Sequence, residues 1–117
     1  MTTITVLNIK DIANTDYAFR GWSDNTAKLF NIGDYKVVYV GGTSKEMLDA
    51  SDYIDTCDDL FAMTNSPMGR PNNYYGHSMS VSDVIIFSDL NGIKAFYCDN
   101  FGWHPISAME VGGCGCH

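Results

Sequence analysis

Basic residues are scarce in this chain of 117 residues. Seven lysines and arginines stand against fourteen aspartates and glutamates, for a formal net charge of −7. Affinity for a phosphate backbone comes mostly from Lys and Arg, so we expect no direct binding to nucleic acid. No apolar run approaches the roughly 20 residues that a membrane span needs. The first residues contain neither a basic segment nor an apolar signal core, so we expect a cytoplasmic protein with no membrane partner.

Cysteine is also sparse, with Cys57, Cys98, Cys114 and Cys116. In a cytosolic chain of this size, four cysteines favour free thiols over a disulfide scaffold. Cys114, Cys116 and His117 are weak candidate ligands for a soft metal, because their spacing departs from that of usual zinc sites. The alternative is a flexible Gly/Cys tail over residues 111–117 with exposed thiols. We expect no cofactor.

The strongest local prediction is a β-hairpin. Residues 84–87 are continuously apolar and residues 93–97 are rich in aromatic and apolar side chains, so each segment is predicted to be a strand with a buried face. Between them, Asn91-Gly92 readily supplies the positive φ angles of a tight turn. Because two isolated strands are marginal in water, the rest of the chain must provide a surface for them to pack on.

Other segments complete a single domain over residues 1–110. Further runs with β-branched or aromatic side chains predict strands at residues 3–9, 35–40 and 102–106. Residues 44–63 are best interpreted as one helix or two, with an apolar stripe facing the sheet. The predicted fold class is therefore α+β: a mostly antiparallel sheet of four to six strands, with one or two helices packed on one face.

Three groups of side chains are candidates for a surface that binds a partner. They are the acidic cluster Asp49, Asp52, Asp55, Asp58 and Asp59, the loop residues Asn65, Met68, Arg70, Asn72 and Asn73, and the edge residues Trp103 and His104. The acidic cluster is either a solvated helix face or a surface that docks on a basic partner. Trp103 is either part of the core or an aromatic anchor at an interface.

Residues 77–83 contain every residue type of a hydrolase triad, namely His77, Ser78, Ser80, Ser82 and Asp83. Known triads bring the nucleophile, base and acid together from distant parts of a fold. The structural alternative has the serines bonded to local backbone and Asp83 capping a turn before the buried strand. The rival prediction from another functional class is therefore a ligand-binding domain or hydrolase that uses His77, Ser80 and Asp83.

Two sequence runs resemble a known family. They are GHSMSVSDVI at residues 76–85 and FYCDNFGW at residues 96–103. In these runs, and over about residues 16–106 as a whole, the chain resembles the YodL-like domain family, small domains found in Firmicutes and in their plasmids, phages and conjugative elements. The family offers no established catalytic motif to transfer, so the resemblance favours a protein that is not an enzyme.

The resemblance implies an accessory protein of a phage or mobile element, acting inside a bacterial host cell. A relative in Bacillus is associated with interference with the actin-like cell-shape machinery, which is one expected target. Together with the acidic composition, the resemblance predicts a small inhibitor that binds a host protein. That protein is expected to be a nucleic-acid-binding effector such as a CRISPR nuclease, which would make the chain an anti-CRISPR or other anti-defence protein.

Overall fold

A five-stranded antiparallel sheet is the centre of the fold in a computed structural model that describes residues 1–115. The strands are β1 (Thr2–Ile9), β2 (Tyr35–Thr43), β3 (Val84–Asp89), β4 (Gly92–Cys98) and β5 (Trp103–Ile106), in the spatial order β2-β1-β3-β4-β5. The helices are α1 (Asp24–Leu29), α2 (Ala50–Thr64) and α3 (Ala108–Gly115). Every neighbouring pair of strands is antiparallel, which confirms the predicted α+β fold class.

The predicted hairpin is formed by β3 and β4. Asp89 pairs with Gly92, so the loop between the strands consists of Leu90 and Asn91, one residue earlier than a turn centred on Asn91-Gly92. Gly92 has a φ of 116°, which glycine adopts at little cost because it lacks a Cβ. The Asn91 amide donates to Asp89 Oδ1 at 2.7 Å and closes the turn.

Helix α2 covers one face of the sheet. Its inner side buries Cys57 and Leu60 against a core that includes Ile85 and Phe87 of β3. The helix begins at Ala50, so the prediction of helix from residue 44 was wrong for its first six residues. The physical reason is a capping box at Asp49, described below, which fixes where the first helical turn can start.

The opposite face of the sheet carries a second core that the sequence did not predict. Tyr17 and the turn before β2 pack there with α3, which contributes Val111 at 4% exposure. The core is rich in aromatic rings, among them Trp22, Phe30, Tyr35 and Tyr97. Both faces of the sheet are therefore covered, whereas the sequence placed helices on one face only.

Residues 65–83 form an irregular segment between α2 and β3, here called the arm. The arm covers the outer edge of β2, where the Tyr75 amide donates to the Val38 carbonyl at 2.8 Å. The close approach needs a glycine at position 76, since a Cβ there would lie 2.6 Å from Val38 Cγ1. With β2 covered by the arm, β5 is the outermost strand on the other side of the sheet.

The predicted tail over residues 111–117 begins inside α3. Cys116 and His117 lie outside the described residues, as does the side chain of Cys114, so both the flexible tail and the metal site stay predictions. Among the side chains that the structure describes, no group of three from His, Cys, Asp or Glu is placed to hold a metal ion. No helix in this range is long and apolar enough to cross a membrane.

Candidate functional site

Helix α2 presents a row of aspartates to solvent. Asp55 and Asp59 are exposed and lie one helical turn apart, on the side opposite the buried Cys57 and Leu60. We call Asp52, Asp55, Asp58 and Asp59 the acidic face. The sequence of α2 contains no lysine or arginine, so no residue of the helix itself neutralises this row.

Two of the predicted surface aspartates hold the start of the helix. Asp49 Oδ1 accepts from the amides of Ser51 and Asp52 at 3.0 and 3.3 Å. Asp52 Oδ2 in turn accepts from the amides of Leu48 and Asp49 at 2.8 and 3.3 Å. The hydrogen bond from Ser51 Oγ, with those from the amides, lowers the pKa of Asp49. Asp49 and Asp52 therefore have a structural role, and substituting either would confuse helix stability with binding.

Asp58 joins the acidic face to the sheet edge. The indole Nε1 of Trp103 donates a hydrogen bond to Asp58 Oδ1 at 2.9 Å. The Trp103 ring packs edge-on against the Phe61 ring, with ring centroids 6.3 Å apart. Trp103 is half-buried against the core beneath α2. The structure thus brings Trp103 next to the acidic cluster, as the predicted surface requires.

His104 does not share that surface. Successive residues of a strand point to opposite faces, and His104 lies on the other side of the sheet from Trp103. Its ring stacks on Trp22 with centroids 4.5 Å apart and an interplanar angle of 14°. The prediction that Trp103 and His104 share one surface was therefore wrong, because the two side chains lie on opposite faces of the sheet.

The loop residues of the predicted surface are mostly occupied within the protein. Arg70 donates to the Thr64 carbonyl at 2.9 Å and to Ser78 Oγ at 2.7 Å, and its guanidinium lies 5.2 Å from the centroid of the Tyr74 ring. Asn65 Nδ2 donates to the carbonyls of Phe61 and Met79 at 2.8 and 3.1 Å, and Asn73 Nδ2 donates to the Val40 carbonyl at 3.1 Å. Of the five, Met68 and Asn72 are exposed without such a bond among residues 1–115.

The candidate triad residues do come together, but not as a triad. Asp83 Oδ2 lies 3.9 Å from His77 Nδ1 and 3.5 Å from Ser80 Oγ. His77 Nδ1, however, donates to the Ser78 carbonyl at 2.7 Å, and its Nε2 is buried without a partner among residues 1–115. A nucleophilic serine must be hydrogen-bonded to its base, and the hydroxyls of Ser78 and Ser82 instead accept from Arg70 and from the Phe19 amide.

Asp83 is a buried structural carboxylate. It is 1% exposed, and its Oδ2 accepts from the Ser80 amide at 2.8 Å, so it caps the turn before β3 as the structural interpretation predicted. Burial raises the pKa of Asp83 to about 6, against the opposing effects of the Ser80 amide and of His77. The adjacent Ser82 has a φ of 84°, and its carbonyl accepts from the Tyr35 hydroxyl at 2.6 Å.

Replacing Asp83 by asparagine will remove a pH dependence of stability. Because the pKa of Asp83 is higher in the folded chain than the unfolded value near 3.9, its contribution is fully present below about pH 4 and is lost as the pH rises through about 6. A shift of this size corresponds to about 3 kcal/mol. Urea unfolding followed by tryptophan fluorescence from pH 4 to 7 measures it: the stability of the natural chain relative to Asp83→Asn should fall across that window. Parallel pH profiles would contradict the assignment.

A groove beside the acidic face was missed by the sequence analysis. Residues 47–50, 53 and 54 form one wall, and Phe96, Trp103 and Pro105 form the other. The signal that could have found it is the pair Asp49 and Asp52, whose spacing marks a helix start and leaves Leu48 outside the helix. No sequence signal indicates Phe19, whose φ of 63° is unusual for a bulky residue.

A family model described as a YodL-like domain matches residues 3–108, nearly the whole of the chain. No curated protein and no solved structure matches the chain. The match includes β2 to β5, all of β1 but its first residue, α2 and the whole of the arm. The chain therefore belongs to the YodL-like domain family.

Proposed function

We propose that this domain is a non-enzymatic inhibitor that binds a basic surface of a host protein through the acidic face of α2. The observation that supports this proposal most is the uncompensated charge of the helix. Asp55 has a like charge three residues before it, at Asp52, and four residues after it, at Asp59. A like-charge pair four residues apart, such as Asp55 and Asp59, destabilises a helix by about 0.2 to 0.5 kcal/mol, so this pair costs stability that a basic partner would recover.

The partner class follows from the sign and shape of this surface. A row of carboxylates on a rigid helix can occupy a basic groove that otherwise receives nucleic acid, because both present negative charge along a line. A nucleic-acid-binding effector such as a CRISPR nuclease has such a groove. We therefore propose an anti-defence protein from a phage or mobile element, acting in the bacterial cell. Inhibition of the actin-like cell-shape machinery is the alternative target.

The geometry around His77 favours this proposal over a hydrolase or ligand-binding domain. A general base must reach the proton that it abstracts, whereas His77 Nδ1 is bonded to a backbone carbonyl and Nε2 is buried. Asp83 is enclosed and caps a turn. These contacts order the arm itself, which is a scaffolding role.

Affinity capture from a Firmicutes lysate tests the proposal with two variants of equal net charge. In the first, Asp55→Lys and Asp59→Lys reverse the acidic face. In the second, Asp16→Lys and Glu110→Lys reverse two exposed carboxylates elsewhere. The natural chain and the second variant should retain the same host protein, and the first variant should lose it, because only the first removes charge complementarity.

Two results would count against the proposal. Equal capture by both variants would mean that net charge or another surface determines binding. Turnover of a substrate by the natural chain, lost on replacing His77 or Asp83, would favour the enzyme. Circular dichroism of each variant provides the folding control, since all four positions are exposed and their substitution should leave the spectrum unchanged.

A further inference from the structure

An apolar groove of about 510 Å³ runs between the start of α2 and the edge of the sheet. Leu48, Tyr53 and Ile54 form its helix side, and Trp103 and Pro105 form its strand side. Leu48 is 74% exposed although it is large and apolar, which leaves hydrocarbon surface in contact with water. A groove of this kind gains free energy when an apolar side chain fills it.

The strand side restricts how an occupant can enter. Strand β5 pairs with β4 on its inner side, with Phe96 opposite Pro105. Proline has no amide hydrogen, so on an outer strand it weakens the edge as a template for a further strand. The groove is therefore suited to side chains that insert from above rather than to a peptide that extends the sheet.

The charges around the groove restrict the occupant further. Asp49 lines the groove. Burial is the main cause of the raised pKa of the Tyr53 hydroxyl, and the negative charges of Asp89 and Asp52 raise it further. These two carboxylates therefore lie near the helix side of the groove. Lys94 is the basic residue in the lining. A second copy of this chain would bring its own acidic face against these carboxylates, which disfavours self-association here. Charge complementarity favours a basic segment.

We propose that this groove holds a large apolar side chain from a basic segment of the protein partner, while the neighbouring lysines or arginines of that segment contact the carboxylates around the rim. The inference rests on the proposed function and adds a second determinant to it. The acidic face speeds encounter, and the inserted side chain slows release. Trp103 contributes to both determinants, because it lines the groove and its indole nitrogen donates a hydrogen bond to Asp58 of the acidic face.

The probe for this proposal is the synthetic peptide acetyl-Lys-Lys-Trp-Lys-Lys-amide, titrated into the full ¹⁵N-labelled chain. The amide of Leu48 and the indole N–H of Trp103 should shift, and replacing the peptide's tryptophan by alanine should weaken binding at least about tenfold. The variant Leu48→Asn should weaken binding of the tryptophan peptide similarly. Met109→Asn is the matched control, because Met109 is 88% exposed and belongs to α3 on the other side of the sheet.

Equal binding of the tryptophan and alanine peptides would overturn the inference, as would an unchanged affinity in Leu48→Asn. Absence of shifts at Leu48 and Trp103 up to about 2 mM peptide, a concentration that detects even millimolar affinity, would overturn it too. These outcomes are separable from the proposed function. Loss of the captured host protein in the variant carrying Asp55→Lys and Asp59→Lys leaves the proposed function intact even when the groove proves empty.

Discussion

Lysine at positions 55 and 59 will slow association with the captured host protein about 10- to 100-fold and will change the dissociation rate much less. Under the proposed function, the exposed Asp55 and Asp59 would attract the partner's basic groove before contact forms, so their reversal should act mainly on the association rate. Surface plasmon resonance with the purified partner gives both rate constants. The variant with Asp16→Lys and Glu110→Lys should associate at nearly the natural rate.

Salt provides an internal check on this prediction. Between about 50 and 300 mM salt, the association rate of the natural chain should fall steeply, because screening shortens the reach of exposed charges. The variant reversed at Asp55 and Asp59 should show a shallow dependence. A dissociation rate that rises while association is unchanged would place these two carboxylates in tight contacts, against the steering role given to them here.

Alanine at Phe87 will destabilise the fold by about 3 to 5 kcal/mol. Phe87 is 1% exposed and lies on the α2 side of β3. Its ring packs edge-on against those of Tyr53 and Phe96, with ring centroids 5.1 and 6.0 Å apart. A cavity there removes contacts from the sheet and from the helix that displays the acidic face. Since small domains are stable by about 5 to 15 kcal/mol, partner binding should weaken with the loss of folded protein.

Urea unfolding followed by tryptophan fluorescence measures the loss at Phe87. The comparison is Leu90→Ala in the turn between β3 and β4, where the side chain is fully exposed and the change should stay within about 0.5 kcal/mol. Comparable midpoints for the two variants would show that the core beneath α2 contributes little, and that the second core alone holds the sheet together.

The elements that the sequence predicted well are those fixed by local chemistry. The apolar run at Val84, the glycine at position 92 and the alternation in β1 each determine backbone conformation within a few residues. The turn cap at Asp83 was predicted for the same reason, since its acceptor oxygen and the Ser80 amide lie three residues apart.

Features that depend on distant contacts were not predictable. The amide of Phe19 donates to Ser82 Oγ across 63 positions of the chain, and both residues have positive φ. Neither residue type signals this conformation, because the surrounding fold imposes it. The second core has the same origin: Tyr17, Tyr97 and Val111 are far apart in sequence and meet only when the sheet has formed.

Two errors in the candidate surface had physical signals in the sequence. Trp103 and His104 are neighbours on a strand, and the alternation of side chains would have separated them. Asp49 and Asp52 have the spacing of a capping box, which would have placed the start of the predicted helix at Ala50. Arg70 had no such signal, since its bonds to the Thr64 carbonyl and Ser78 depend on the path of the arm.

Mapping the contact by NMR tests whether the partner binds at α2 and the groove. In ¹H–¹⁵N spectra of the full chain titrated with the purified host protein, the resonances that shift or broaden should come from α2 and from the groove residues Leu48, Tyr53 and Trp103. Those of His77, Ser80 and Asp83 should change least, because these side chains order the arm and belong neither to α2 nor to the lining of the groove. Changes centred on His77 and Asp83, with α2 unaffected, would contradict binding at α2.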